Sequence, residues 1–260
     1  MRRPVGEDTT GIDEDALPWW PGDDRRRGDG RSGLTRRRII DAGVDLVATE
    51  GFAALTMRRV AGSLDCGVMS LYWYVATRDE LVAVVVDELL RGVPTPAPTT
   101  TWRQQVVEVC EAFVSILRPH RRVLAGFPGG IAPGPQMLRM TNDIYGALGT
   151  AGFQGADLFH GVDAIGSLTV GLVFRDSADE AAAVAAERTA PRTATPGTLA
   201  PASMQGVDFG VLDGRLYPHL VAAGVRSDHD DGFEFALDTL LDGLEVRLRR
   251  HGPARPCGDS

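Results

Sequence analysis

Thr56-Met57-Arg58-Arg59-Val60-Ala61-Gly62-Ser63-Leu64-Asp65-Cys66-Gly67-Val68-Met69-Ser70-Leu71-Tyr72-Trp73-Tyr74 is the stretch on which the fold turns. Thr56 is a suitable N-cap for a short helix over Met57–Leu64, because its hydroxyl can accept from a first-turn amide. Asp65-Cys66-Gly67 then reads as a tight turn, followed by a second, very short segment at Val68–Tyr74. Two short helices around a tight turn form a helix-turn-helix pattern. A DNA major groove of about 12 Å admits one helix, which presents its first turn to the base edges. Val68, Met69 and Ser70 would form that first turn. Tyr72, Trp73 and Tyr74 add an aromatic density that more often marks core than contact. Leu71 and Val75 read as core.

Upstream, Thr35 caps a helix in which Ile40, Val44 and Val47 form one apolar stripe ending at Gly51. Downstream, Thr77 caps a longer helix and Glu80, three residues on, completes a capping box. Leu81, Val85 and Leu89 line one side of it, beside Val82 and Val86. It stops before Val93-Pro94-Thr95-Pro96-Ala97-Pro98, whose prolines mark a hinge. These limits give a three-helix unit over residues 34–92 and a hinge over 93–101. Residues 1–33 lack periodicity and read as a disordered arm. Within the arm, Trp19 and Trp20 offer a means of tacking it to a surface. Arg25, Arg26, Arg27 and Arg31 are either a solvated run balanced by Asp23, Asp24 and Asp29, or phosphate contacts.

Beyond the hinge, apolar periodicity predicts helices at Trp102–Leu117, Pro135–Thr150, Ala156–Arg175 and Asp231–Arg250, with short pieces near His120–Ala125 and Gly210–Ala222. No stretch alternates as a strand, so the fold is all-α. Ser177–Met204 is rich in Ala, Thr and Pro, predicting a helical extension and then a mobile loop within about 178–206. The second domain spans 102–251, with a tail at 252–260.

Composition sets the outer limits. With 43% hydrophobic and 24% charged residues, the 260-residue chain is neither disordered throughout nor a disulfide-stapled miniprotein. The net charge of −8 argues against a nucleic-acid partner only at first sight, since DNA binding needs a local basic face. Cys66, Cys110 and Cys257 form no CxxC pair, which predicts a reducing, cytoplasmic setting. Ile165–Phe174, the most apolar stretch, is short of the roughly 20 residues that cross a bilayer, so no membrane role is expected. HExxH, GxSxG, Walker and dinucleotide fingerprints are missing, and an enzyme is not expected. Asp157, His160 and Asp163 share a helical face, but a polar strip near a helix start explains them better than a metal site. No cofactor is expected.

The order and spacing of Thr-Arg-Arg-Arg-Ile-Ile-Asp-Ala (35–42), Glu-Gly-Phe (50–52), Leu-Thr-Met-Arg-Arg-Val-Ala (55–61), Met-Ser-Leu-Tyr-Trp-Tyr-Val (69–75) and Arg-Asp-Glu-Leu (78–81) closely resemble the DNA-binding domain of TetR-type transcriptional repressors. The resemblance implies roles. Arg58 would contact bases or phosphate, Ser70 a base, and Val68 and Met69 thymine methyls. Tyr72 would bind phosphate with Trp73 and Tyr74 beside it, and Arg78 would bind phosphate at a helix start. Two positions depart from the pattern: Asp65 replaces the turn glycine, which Asp tolerates, and Tyr74 replaces a common histidine. Seven arginines face eight acids over residues 34–92, so DNA affinity would rest on clustering of Arg36–Arg38, Arg58, Arg59 and Arg78, with Asp87 and Glu88 on the far side.

The second half resembles the effector-binding and dimerisation domain of tetracycline repressors at Trp102, Gly152-Phe153, Leu168-Thr169-Val170-Gly171 and Gly243-Leu244-Glu245. This implies a homodimer whose four-helix interface draws on Ile165, Leu172, Leu237, Leu241 and Leu244, residues that could equally fill an intramolecular core. It also implies a cavity lined by Val109, Phe113, Thr141, Ile144, Tyr145, Phe159, Val162 and Gly166, suited to a mostly apolar small-molecule effector. A metal–tetracycline chelate is not expected, because Leu124–Pro128 has no histidine and Arg175 stands where the family has an acid. The expectation is thus a homodimeric repressor of double-stranded operator DNA, released by a small molecule. The alternatives are an activator, or a small-molecule-binding protein of the same fold.

Overall fold

The computed structural model describes Trp20 and residues 34–120, 133–188, 213–223 and 231–251. All regular structure among these is helical. The helices are α1 (Arg36–Glu50), α2 (Met57–Ser63), α3 (Val68–Leu71), α4 (Arg78–Leu90), α5 (Trp102–Leu117), α6 (Pro135–Ala151), α7 (Gly155–Arg188), α8 (Pro218–Ala223) and α9 (Asp231–His251). Single turns of 3-10 helix lie at Phe52–Ala54 and Arg118–His120.

Threonine starts four of these helices. The hydroxyls of Thr35, Thr56, Thr77 and Thr101 accept from the amides of Arg38, Arg59, Glu80 and Gln104. The capping box expected at Thr77 closes one residue early, since the Glu80 carboxylate accepts from Ala76 N–H at 2.9 Å. A complete box forms at Thr101 and Gln104. Asp65 takes the left-handed turn conformation at φ 49°, as its short side chain permits.

The first four helices pack round Ile39, Leu55, Val60, Leu71 and Leu81, all fully buried. Gly43 allows the close approach of α1 to α4: a Cβ there would lie 2.6 Å from Val85 Cγ2. The core then runs without a break into α5, α6, α7 and α9 through Leu90, Val106, Leu148, Ile165 and Leu241. Gly161 has the same use as Gly43 where α7 meets α6, since a Cβ there would lie 2.9 Å from Leu148 Cδ2.

α7 runs on as helix to Arg188, through the start of Ser177–Met204 where a helical extension is expected. Other expectations change. The Gly155–Val173 portion of α7 has 19 residues and a mean hydropathy of 1.2, enough by length and composition to cross a bilayer, unlike the shorter Ile165–Phe174. Here that portion packs against α5, α6 and α9. Trp20 is only 5% exposed, so this residue of the N-terminal segment is core, not free arm. The rest of that segment, Leu124–Pro128, the side chain of Arg175, most of the 178–206 loop and the 252–260 tail lie outside the described residues.

Candidate nucleic-acid interface and effector cavity

Asp65 turns the chain between α2 and α3, and α3 is a single turn of helix, Val68–Leu71, shorter than the seven residues expected. Tyr72, Trp73 and Tyr74 follow in the turn before Val75, so the aromatics are not on the helix itself. Leu71 and Val75, both fully buried, pin each end of this segment. The opposite side faces solvent, with Met69 75%, Trp73 57% and Tyr72 45% exposed. Val68 and Ser70 are half-buried. Exposure of three large apolar side chains on so short a segment costs solvation energy that packing does not offset, which points to contact with something outside the subunit.

Tyr74 is placed differently from its neighbours. It is half-buried, and its hydroxyl donates to the Leu34 carbonyl at 2.9 Å, across forty residues of sequence. Its hydrogen is therefore already committed, unlike what a phosphate contact would ask of it.

The arginines sort themselves by geometry. Arg58 and Arg78 are exposed and form no ion pair among the described residues. Arg59 pairs with Glu50. Arg37 bridges Asp41 at 2.8 Å and Glu88 at 3.0 Å; burial is the largest single effect on its pKa and lowers it, but the two carboxylates together outweigh burial and raise it. Arg36 is 5% exposed and cannot belong to a surface cluster. The expected basic cluster is thus thinner than its composition. Asp87 is not on a solvated far side either: it is buried, and its carboxylate accepts from the amides of Gln136 and Met137 at the start of α6. At the start of α4, Asp79 and Glu80 share the first turn with Arg78 and already offset the positive helix end.

Among the residues expected round an effector, Val109 and Phe113 of α5, Ile144 of α6 and Val162 of α7 meet in one buried cluster, with Tyr145 half-buried against it. Thr141 is half-buried and its hydroxyl donates to Met137 O at 2.9 Å, within its own helix. Gly166 borders open space, since a Cβ there would meet nothing within 4 Å. Phe159 does not join them: it is 55% exposed, and its ring packs edge-on to His160. Sequence reasoning missed the polar members of this interior. Cys110, buried, has a thiol pushed up to about 11 by desolvation. Thr169 is buried one helix away and donates to Ile165 O. A lone polar residue in an apolar row carries no periodic signal by which to find it.

The five residues expected at a dimer interface are buried inside one chain; Ile165 and Leu241 are fully so. They close the seam between α7 and α9, and Leu244 also lines the groove that opens beside it. The side of that seam left open is a groove of about 710 Å³, lined by Ala164 and Leu168 of α7 and by Ala236, Leu240 and Gly243 of α9. Arg247 crosses its end to Asp157 at 2.7 Å, and among the described residues no three metal-ligating side chains come together.

Comparison with known proteins agrees with both halves of this geometry. Residues 39–85 match the family described as bacterial regulatory proteins, tetR family, and residues 95–248 match the tetracyclin repressor-like C-terminal domain. An HTH-type transcriptional regulator of Saccharopolyspora erythraea is 32% identical over 152 residues, covering 55% of this chain and 61% of that protein. The HTH-type transcriptional repressor DrrR1 of Streptomyces coeruleorubidus is 29% identical, covering 86% of this chain and 82% of its own. The crystal structure of the Streptomyces coelicolor TetR family protein ActR in complex with actinorhodin superposes with a TM-score of 0.64 at 28% identity, over 82% of this chain and 97% of that one.

Proposed function

The chain belongs to the TetR family of bacterial transcriptional regulators, and from that premise we propose that it is a homodimeric repressor, released from its operator by a mostly apolar small molecule. The observation that carries this reading is the solvent-facing row Met69, Tyr72 and Trp73, held rigid from behind by Leu71 and Val75. Arg58 and Arg78 flank the row and supply the charge that phosphates need. DrrR1, a relative matched over most of both chains, is a repressor.

The second copy would sit on the apolar groove between α7 and α9, in a self-complementary two-fold contact. Two α3 segments would then enter the major groove about one helical turn, or a multiple, apart. The α5–α6–α7 interior, largely apolar with hydroxyls from Thr141, Tyr145 and Thr169 and the Cys110 thiol, suits an organic effector, and ActR was solved with actinorhodin. An effector acts through unequal affinity for the two head positions.

The test pairs two assays on the full chain. Footprinting of the DNA directly upstream of the gene should protect two half-sites related by a two-fold axis. A panel of apolar antibiotics and metabolites should include one that both raises Tm and removes the footprint. A protected region without two-fold symmetry would contradict the dimer, and a ligand that raises Tm with the footprint intact would contradict release.

A further inference from the structure

The start of α6 is held by two neighbours that no helix-turn-helix requires. Pro135 occupies the first helical position, so the first amides in need of acceptors are those of Gln136 and Met137. Both donate to Asp87 of α4, at 3.1 and 3.3 Å to Oδ1, and the Asp87 carboxylate is buried. One turn later, Arg139 reaches back to the chain leaving α4. Its guanidinium donates to Val93 O at 2.7 Å and Thr95 Oγ1 at 3.0 Å, while holding Asp143 at 3.1 Å. One turn of the effector domain therefore grips both α4 and the hinge.

Trp20 closes this joint. A Cβ on Gly134, immediately before α6, would lie 2.5 Å from the Trp20 ring and 2.4 Å from the Asp87 carboxylate, so the indole and the carboxylate both close on this glycine. Trp20 stands outside the family match at residues 39–85, in a segment the helix-turn-helix pattern does not account for.

We propose that Trp20 is a wedge that seals the Asp87 cap of α6 from water and so makes the position of the DNA-reading domain follow that of the effector domain. A carboxylate in a dry site cannot give up its amide donors cheaply, so α4 must travel with α6. With the indole gone, water reaches Asp87, the cost of separation falls and the two domains move independently. The N-terminal segment thereby becomes a regulatory element of the proposed repressor, an inference that rests on the DNA-binding reading above.

Hydrogen exchange of the full chain, with and without a duplex from the region directly upstream of the gene, tests it. Without DNA, Trp20→Ala should speed exchange at Gln136 and Met137 about tenfold or more, leave residues 57–71 unchanged, and be largely rescued by Trp20→Phe. Asp87→Asn should speed the same two amides. With DNA, those amides should slow in the wild type and not in Trp20→Ala. Unchanged exchange at Gln136 and Met137 in DNA-free Trp20→Ala overturns the wedge, and equal slowing by DNA in both proteins overturns the coupling. Loss of DNA protection at residues 57–74 in the wild type would instead strike the DNA-binding reading, while the DNA-free comparison still decides on the wedge.

Discussion

The Tyr74 hydroxyl donates a 2.9 Å hydrogen bond to the carbonyl of Leu34, joining the turn behind the reading segment to the residue that leads into α1. Two of the unit's ends are thus fastened to each other, behind a face whose other aromatics, Tyr72 and Trp73, stay exposed.

Tyr74→Phe removes that bond and leaves the Leu34 carbonyl short of a donor. It should lower stability by about 1 kcal/mol, seen as a fall in Tm or in the urea midpoint. Sequence preference on DNA should not change, whereas Tyr72→Phe should weaken DNA binding with stability within about 0.5 kcal/mol of wild type. The opposite pattern would reverse the roles of the two tyrosines.

The Arg59–Glu50 pair is exposed on both sides, so it contributes little to stability. Glu50→Gln should therefore leave Tm nearly unchanged. It frees a cation beside the reading segment, and should tighten binding to any duplex and steepen its salt dependence by about one unit of slope. A titration of labelled duplex at several salt concentrations reads both effects.

His120 packs edge-on to Phe52 at 4.9 Å, linking the end of α5 to the DNA-reading unit, and desolvation lowers its pKa from 6.5. The unfolded chain then takes up the proton first as pH falls. Stability from this group is present above about pH 6.5 and is lost as pH drops through the ordinary value toward the folded one. Chemical denaturation between pH 7.5 and 5 should show a smaller decline in His120→Phe than in the wild type. An identical slope in the two proteins would remove His120 from the account.

Gly43→Ala would place a methyl 2.6 Å from Val85 Cγ2, where a stiff β-branched side chain in a packed helix has little room to yield. Overpacking of this kind costs about 1–3 kcal/mol. The loss should exceed that of Gly62→Ala, where a Cβ meets nothing within 4 Å and alanine is the better helix former.

Local features were legible in the sequence. The caps at Thr35, Thr56 and Thr77 and the bounds of α5 follow from side-chain chemistry within four residues and from apolar spacing. Asp65 was readable as a turn because few other side chains accept its φ. What stayed hidden was pairing over distance. Asp87 lies in an apolar row, and nothing near it in sequence announces that its partners are at 136 and 137. The same holds for Trp20, whose neighbours Gly134 and Asp87 are more than sixty residues away. The family resemblance named Ile165, Leu237 and Leu241 as interface, and apolar spacing by itself cannot tell a seam within one chain from one between two. The small side chains left facing the groove, Ala164, Ala236 and Gly243, carry too little hydrophobicity to stand out.

The most direct measurement is fluorescence anisotropy of the full chain on a labelled duplex from the upstream region, set against a scrambled duplex of equal length and composition at one salt concentration. The account predicts binding tighter by about a thousandfold or more to the upstream duplex, with the preference sharply reduced in Met69→Ala. Equal affinity for the two duplexes, or a preference untouched by Met69→Ala, would contradict the assignment of α3 as the element that reads sequence.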